Sequence, residues 1–306
     1  MKNYKEITIT LNELPKIWRK KIFEFLKLLE KKDIEDTDNI IDYFNSCIYN
    51  GLISWIKTSF TDTELESAKK KCNNIINQSE KLGINITCYN DKIFPKSLIK
   101  LNDAPLILYS KGALDGINKM KNITIIWTRE PTKEWKEVAE WLGKTFSKNW
   151  FNIVSWLAKW CDTYAHKWAL MWDKWKTTAI IWNWLDKIYP SENKNLANEI
   201  LNKNWILLSE YPIWTDSTKR TLVERDRLQA WIADIIIWVQ FWEKSWTIHA
   251  LDTAIKQKKA VYVVNFNNMQ SLWDKITWNI KYLKSWEAKE ITSTNINDII
   301  TNINNI

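Results

Sequence analysis

The chain has 306 residues, with 44 Lys and Arg against 36 Asp and Glu for a formal charge of +8, and is long enough for one large domain or two ordinary ones. Hydrophobic residues at 45% and charged residues at 26% exclude a disordered, collagenous or disulfide-stapled chain. No apolar run reaches the ~18 residues of a membrane span, and MKNYKEITIT lacks the apolar stretch of a signal peptide, so a cytoplasmic protein is expected.

Residues 1 to about 80 read as short amphipathic helices. One starts at Leu14-Pro15 and carries Ile17, Ile22, Phe23, Phe25 and Leu26, and others lie near 37–49 and 62–78. From Ile84 the pattern changes. Residues 84–87 predict a short strand, 95–99 a helical turn, and 106–109 another strand closed by Lys111-Gly112. From about 122, apolar runs at 123–126, 151–155, 178–182, 205–208, 234–238 and 260–264 alternate with helical stretches near 132–148, 162–172, 192–203, 221–231 and 246–257. That alternation predicts βαβ units, hence an α/β fold with a parallel sheet and helices on both faces. Such sheets bind ligands at the carboxyl ends of their strands. The segment from about 291, rich in Asn, Ile and Thr, reads as one weak helix or a frayed tail. The expected division is a helical domain over 1–80, a sheet domain over 81–290 and a tail over 291–306. Cys47, Cys72, Cys88 and Cys161 show no CxxC spacing. They read as free thiols of a reducing compartment, with neither zinc nor disulfides expected.

The chain contains 5 Gly and 22 Trp, where usual frequencies of about 7% call for roughly 21 Gly. The tryptophans sit where glycines belong. Trp127 follows the strand at 123–126. Trp156 and Trp160 follow 153–155, Trp182 and Trp184 follow 179–181, and Trp238 follows 234–237, while Trp246 lies in Glu243-Lys-Ser-Trp-Thr247 at a helix start. A strand-to-helix turn that approaches a phosphate requires φ > 0 or a missing Cβ. Trp150 and Trp205 each follow Asn at the end of a helical stretch, where a glycine cap is expected. Many of these positions are therefore expected to be glycine in the natural chain. A UGA codon read as Trp by the translation table and decoded as Gly by the organism would produce this pattern, and the abundance of Lys, Asn and Ile suits an AT-rich genome. The competing reading is an authentically Trp-rich protein, and Trp18, Trp55 and Trp141 fit it. UGG codons at 127, 156, 182 and 246 would decide for that reading.

Five turns carry candidate chemistry. Trp127-Thr128-Arg129 becomes Gly-Thr-Arg, a turn that offers backbone N–H groups and an Arg fork to a phosphate; a surface Arg in an ordinary turn is the alternative. The second runs from Val154-Ser155-Trp156 through Lys159 to Asp162 and His166. Lys159 can meet a phosphate as a point charge, while a capping Asp162 and a structural His166 are favoured over metal ligation. Trp182-Asn-Trp184 becomes Gly-Asn-Gly, but the third glycine of a dinucleotide fingerprint is absent, so NAD is poorly supported. Trp175-Lys-Thr177 mimics the end of a P-loop, but it precedes a strand and has Leu170 where the first glycine belongs, so ATP hydrolysis is rejected. Arg225 and Arg227 either clamp phosphates or pair with Glu224 and Asp226. Ser245-Trp246-Thr247 opens a helix whose start favours anions.

With glycines restored, the ordered set DAPLILYSKG, IIGTR, IVSGLAKGCDTYAH, GNGLDKIYPSEN, LLSEYP, RDR and EKSGT resembles the DNA-processing protein A (DprA/Smf) family, from about Ile84 to Ala288. The resemblance implies an extended Rossmann-like domain after a small helical, SAM-like domain. It implies a cytoplasmic homodimer that binds single-stranded DNA and loads RecA recombinase onto it in natural transformation, with no cofactor, metal or catalysis. Carried over by position, the DNA contacts are Arg129, Lys159, Arg225 and Arg227. The wider set of expected DNA-binding residues adds Trp127, Thr128, Ser155, Trp156, Trp182, Trp184, Lys187, Lys194, Ser245, Trp246 and Thr247.

The chain departs from the family in three places. Asp226 stands inside the Arg-Asn-Arg motif, Ser191 stands where a basic residue often follows Tyr-Pro, with Lys187 or Lys194 to compensate, and the Phe-Pro before the Arg motif is missing. No room is expected for the winged-helix domain of some members. Tyr189 and Tyr164 are candidates for base stacking, with a core or scaffold role favoured for both.

Two rivals remain. A nucleotide-processing hydrolase of the lysine-decarboxylase-like, cytokinin-activating type would need PGGxGTxxE, but Ala250 occupies the Glu position and the Pro-Gly-Gly is absent. A Rossmann protein of defence or nucleotide sensing is not separable by sequence.

Overall fold

The computed structural model describes residues 4–31, 37–53, 60–99, 101, 104–126, 133–158, 161–171, 176–181, 184–215, 227–240, 251, 254–265, 276–285 and 287–304. The chain divides into two compact units, Met1–Ser110 and Lys111–Ile306.

The first unit contains helices α1 (Tyr4–Glu13), α2 (Arg19–Leu29), α3 (Thr37–Tyr49) and α4 (Asp62–Lys81), strand β1 (Asn85–Cys88), the short α5 (Lys96–Ile99) and strand β2 (Ile107–Lys111), which runs up to the boundary. α2 buries Ile22, Phe25, Leu26 and Leu29, the one-face spacing of an amphipathic helix. Phe25 meets Phe44 of α3 edge-on, with centroids 4.6 Å apart. α4 begins in a capping box between Thr61 and Glu64, which satisfies two otherwise orphaned N–H groups. The sequence pattern does not single out α1. Its Ile-Thr-Ile-Thr run alternates like a strand, yet Ile7, Thr8, Ile9, Thr10 and Leu11 are all buried, and burial overrides local preference there. β1 and β2 pair antiparallel. Cys47, Cys72 and Cys88 are buried free thiols.

The second unit opens with α6 (Gly116–Lys119) and then alternates: β3 (Asn122–Ile126), α7 (Lys133–Lys148), β4 (Asn152–Trp156), α8 (Cys161–Leu170), β5 (Lys176–Ile180), a 3-10 turn (Ser191–Asn193) running into α9 (Lys194–Asn202), β6 (Ile206–Ser209), β7 (Ile235–Trp238), β8 (Ala260–Val264), α10 (Thr277–Lys284), β9 (Lys289–Ile291) and α11 (Ile296–Asn304). Residues 227–232 are also helical. Within this unit the strands lie in the order β6-β5-β4-β3-β7-β8-β9, each pair parallel. β3, β4, β6 and β7 are buried throughout, as strands of a sheet covered on both faces are. One face packs Ile123, Ile125, Ile235 and Ile237 against Ala139, Leu142 and Phe146 of α7. The other packs Ile236 and Trp238 against Ala230, Leu251 and Ala254. This is the parallel α/β sheet that the alternation predicts and the Rossmann-like architecture that the resemblance implies.

The details differ in places. β5 starts at Lys176, earlier than the apolar run suggests, because the β-branched Thr177 and Thr178 extend it and Thr178 bonds to Asn152. The segment from 291 is not frayed. Ile296, Ile299, Ile300 and Ile303 recur at helical spacing and join the core cluster of β3 and β7. β9 and α10 carry no strong sequence signal. Trp238 ends β7 inside the core at 0% exposure rather than forming a turn. The Lys111-Gly112 closure does need glycine: Gly112 has φ +90, and a Cβ there would lie 1.9 Å from the Trp205 carbonyl oxygen. After α7, Trp150 has φ +68. After α9 the left-handed residue is Asn204, at φ +57, and not Trp205, because Asn tolerates that region.

Candidate nucleic-acid interface

The register aligns the carboxyl ends of the central strands. Trp156 of β4 sits opposite Ile180 of β5, Ile180 opposite Leu208 of β6, and Ile126 of β3 opposite Trp238 of β7. Successive strands are added in one direction from β3 to β6 and in the other from β7 to β9, so the strand order switches between β3 and β7. Ligands of open α/β sheets bind outside the carboxyl ends at such a switch point. The opposite edge is closed by its own polar groups. Asn152 donates to Asn122 and Thr178, and the Asn122 N–H donates to Asp234 at 2.7 Å.

The turn after β4 is organised by buried side chains. Ser155, fully buried, donates to Asp162 Oδ1 at 2.8 Å, and the Ala158 N–H donates to Asp162 Oδ2 at 3.3 Å. Asp162 thus ties the turn to the start of α8. The Asn193 side chain donates to the carbonyls of Leu157 and Ala158 at 2.9 and 3.1 Å.

His166 is buried on α8. Its Nε2 faces the Trp156 carbonyl at 2.7 Å and its Nδ1 faces Thr177 Oγ1 at 2.6 Å. The carbonyl requires a proton on Nε2, so Nδ1 accepts. The Thr177 hydroxyl proton then has two acceptors, Nδ1 and the Ile153 carbonyl at 2.8 Å. Burial pushes the imidazole down to about 4, against the opposing bond to Trp156, so the ring is neutral at pH 7. The structural role expected for His166 is the one observed. No group of His, Cys, Asp and Glu among the described residues could hold a metal ion.

Arg227 lies on the helical segment 227–232. Its Nη2 donates to Glu210 Oε1 at 2.7 Å, with the two side chains 17% and 2% exposed. Its guanidinium stacks 4.3 Å from the Trp231 ring centroid. The segment is fixed to the sheet because Gln229 Nε2 donates to the Val154 carbonyl and its own carbonyl accepts from Thr124. Lys259 donates to the carbonyls of Trp231 and Ala233 at its far end, where a cation suits the helix dipole. Burial lowers the Lys259 ammonium to about 8, with Asp234 opposing.

Of the expected DNA-binding residues, six are described. Ser155 and Trp156 end β4 and are buried; Trp156 does not have positive φ, so at this position only the close-approach argument for glycine remains. Trp184 is half-buried, and Lys187 and Lys194 are exposed on the segment after β5. Arg227 is engaged by Glu210, a partner that sequence spacing does not indicate. Trp127, Thr128, Arg129, Lys159, Trp182, Arg225, Ser245, Trp246 and Thr247 lie outside the described residues. Tyr189 is 59% exposed, which argues against a core role, while Tyr164 is half-buried. Sequence reasoning assigned no role to Asn193, the last residue of the GNGLDKIYPSEN motif, or to Gln229, two positions after Arg227.

A family model described as DNA recombination-mediator protein A matches residues 85–304. The chain belongs to that family. It is 32% identical over 209 residues to the DNA processing protein DprA of Bacillus subtilis (strain 168), covering 68% of this chain and 70% of that one. The DNA processing protein DprA of Streptococcus pneumoniae (strain ATCC BAA-255 / R6) is 30% identical over 184 residues, covering 60% and 64%. The X-ray structure of DNA processing protein A from Streptococcus pneumoniae shares the fold, with TM-score 0.75 at 23% identity over 96% of each chain. DNA processing protein A from Helicobacter pylori, whose structure describes a single-stranded DNA binding mode, matches with TM-score 0.62 at 27% identity, covering 72% of this chain and 95% of that one. No helix among the described residues is long and apolar enough to cross a membrane.

Proposed function

We propose that this DNA-processing family member binds single-stranded DNA along the carboxyl rim of its parallel sheet and loads RecA recombinase onto it during natural transformation. In this reading it acts as a cytoplasmic homodimer without a cofactor or chemistry of its own. The observation that supports it is the alignment of strand ends. The carboxyl ends of β4, β5 and β6 lie in register, exposed Lys187 and Lys194 follow β5, and Arg129 and Lys159 come next in sequence after β3 and β4. Lysines and arginines on a phosphate backbone give binding that is sequence-independent and weakened by salt.

The test is fluorescence anisotropy with oligo-dT and duplex probes over a salt series. Single strands should bind more tightly, lose affinity progressively with salt, and bind more weakly to Arg129→Ala and Lys159→Ala. A double variant that binds like the parent, or a preference for duplex, removes the rim from consideration. RecA loading predicts faster filament assembly on strands coated with single-strand-binding protein when the chain is present. Incubation with nucleoside monophosphates should release no base; release at enzymatic rates would favour the hydrolase reading.

A further inference from the structure

We propose that Asn193 is a positioning residue for the turn after β4, a role that rests on the single-stranded DNA reading above. Asn193 is 6% exposed and sits where the 3-10 turn enters α9, yet its side chain makes no capping bond to that helix. It points instead at the neighbouring loop. Nδ2 reaches the Leu157 carbonyl at 2.9 Å, the Ala158 carbonyl at 3.1 Å and Thr163 Oγ1 at 2.9 Å. Two carbonyls fix which end of the amide faces them, since only the NH2 donates. Asp162 takes the Ala158 N–H from the other side, so both polar groups of the Ala158 backbone are held. Lys159 is the next residue. Thr163 Oγ1 also donates to the Ala158 carbonyl at 3.0 Å, so Asn193, from the segment after β5, and α8 together hold Leu157 and Ala158 before any DNA arrives. Binding is strengthened when the receptor is ordered beforehand.

Asn193→Asp keeps the volume and removes both donors; Asn193→Ala removes the side chain. Each is measured with oligo-dT by anisotropy, over a salt series, beside a thermal melt. Both variants should bind roughly tenfold more weakly at temperatures where they remain folded, the scale of one or two net hydrogen bonds. The slope of log affinity against log salt should shrink by about 0.7 for each phosphate that the misplaced turn no longer neutralises, a change that reduced fold stability alone does not produce. If Asn193→Ala fails to fold, Asn193→Asp carries the test. Parental affinity and slope in a folded variant overturn the role of Asn193, whereas failure of the parent protein to bind single strands overturns the functional reading instead.

An independent observation concerns the identity of two residues: we infer that positions 150 and 214 are glycine in the natural protein. After α4, Gly83 has φ +64, with Gly83 N bonded to the Glu80 carbonyl and Ile84 N to that of Ser79. After α7, Trp150 repeats that pattern at φ +68, with Trp150 N on Ser147 and Phe151 N on Phe146. This is the helix stop that glycine dominates. Trp214, at φ +64, is the third residue of a turn closed by Thr215 N on the Pro212 carbonyl, the position that requires glycine in a type II turn. Both indoles are largely exposed, at 61% and 51%, so packing does not compensate a bulky side chain at positive φ.

Tryptic peptides 149–159 and 204–219 of protein isolated from its own organism should have masses that read glycine at 150 and 214. In recombinant protein, Trp150→Gly and Trp214→Gly should each raise the melting temperature by a few degrees. Tryptophan in the native peptides, or a lowered melting temperature in both variants, overturns the inference.

Discussion

Arg227 shows how one residue is read differently by sequence and by structure. As part of an Arg-Asp-Arg run it is a phosphate clamp or a partner of its immediate neighbours. In the fold it pairs with Glu210, seventeen positions away, at 2.7 Å, largely out of solvent. Removing one member of such a pair strands the other charge, and this typically costs about 3–5 kcal/mol. Arg227→Ala should therefore destabilise the fold by roughly 3 kcal/mol in urea denaturation, while Glu210→Gln combined with Arg227→Met should recover most of that loss. A single-variant cost below about 1 kcal/mol, the ordinary value of an exposed pair, would contradict this. Any loss of DNA binding by Arg227→Ala must accordingly be measured against its stability. The left-handed helix stop expected from a local backbone rule lies at Trp150, whereas after α9 it lies at Asn204, one position before Trp205. Partners such as Glu210 and Asn193 were not legible because the fold, not spacing, brings them to Arg227 and Ala158.

The β4–α8–β5 unit is joined by a neutral histidine, and this gives it a pH dependence with a definite sign. His166 has a folded-state pKa of about 4 against 6.5 for the free side chain. Between those values the unfolded chain binds a proton that the fold refuses, so stability is complete above about 6.5 and falls as pH drops toward 4. The loss attributable to this group is on the order of 3 kcal/mol by pH 4. The urea midpoint of His166→Gln should be lower at pH 7 and converge on that of the parent as pH falls; parallel curves would remove His166 as the cause. Elements of this kind were largely legible. Parallel strands covered on both faces appear as short apolar runs, and β3, β4, β6, β7 and β8 fall where those runs lie. The exceptions have physical causes: α1 is a β-branched segment made helical by burial, and α11 hides four core isoleucines among Asn and Thr.

For the whole molecule, the formal charge of +8 by itself says only that polyanions are attracted. The fold adds direction. The amino edge of the sheet uses its Asn and Asp groups on one another, and the carboxyl edge carries the exposed Lys187 and Lys194. The parallel sheet and its candidate binding edge were legible from βα alternation and from the glycine-like turns. The first unit runs to Ser110, past the composition change near residue 80, and in it β1 packs with α1 and α4. If single-stranded DNA tracks the carboxyl rim, neutralising the two lysines should reduce the salt slope of binding by about 0.7 for each phosphate released. The same change at Lys148, exposed where α7 ends on the opposite edge, should leave the slope unchanged. Equal effects at both edges would mean that affinity comes from net charge alone. A reduced slope only for Lys187→Ala and Lys194→Ala would place the phosphate path beside the segment after β5.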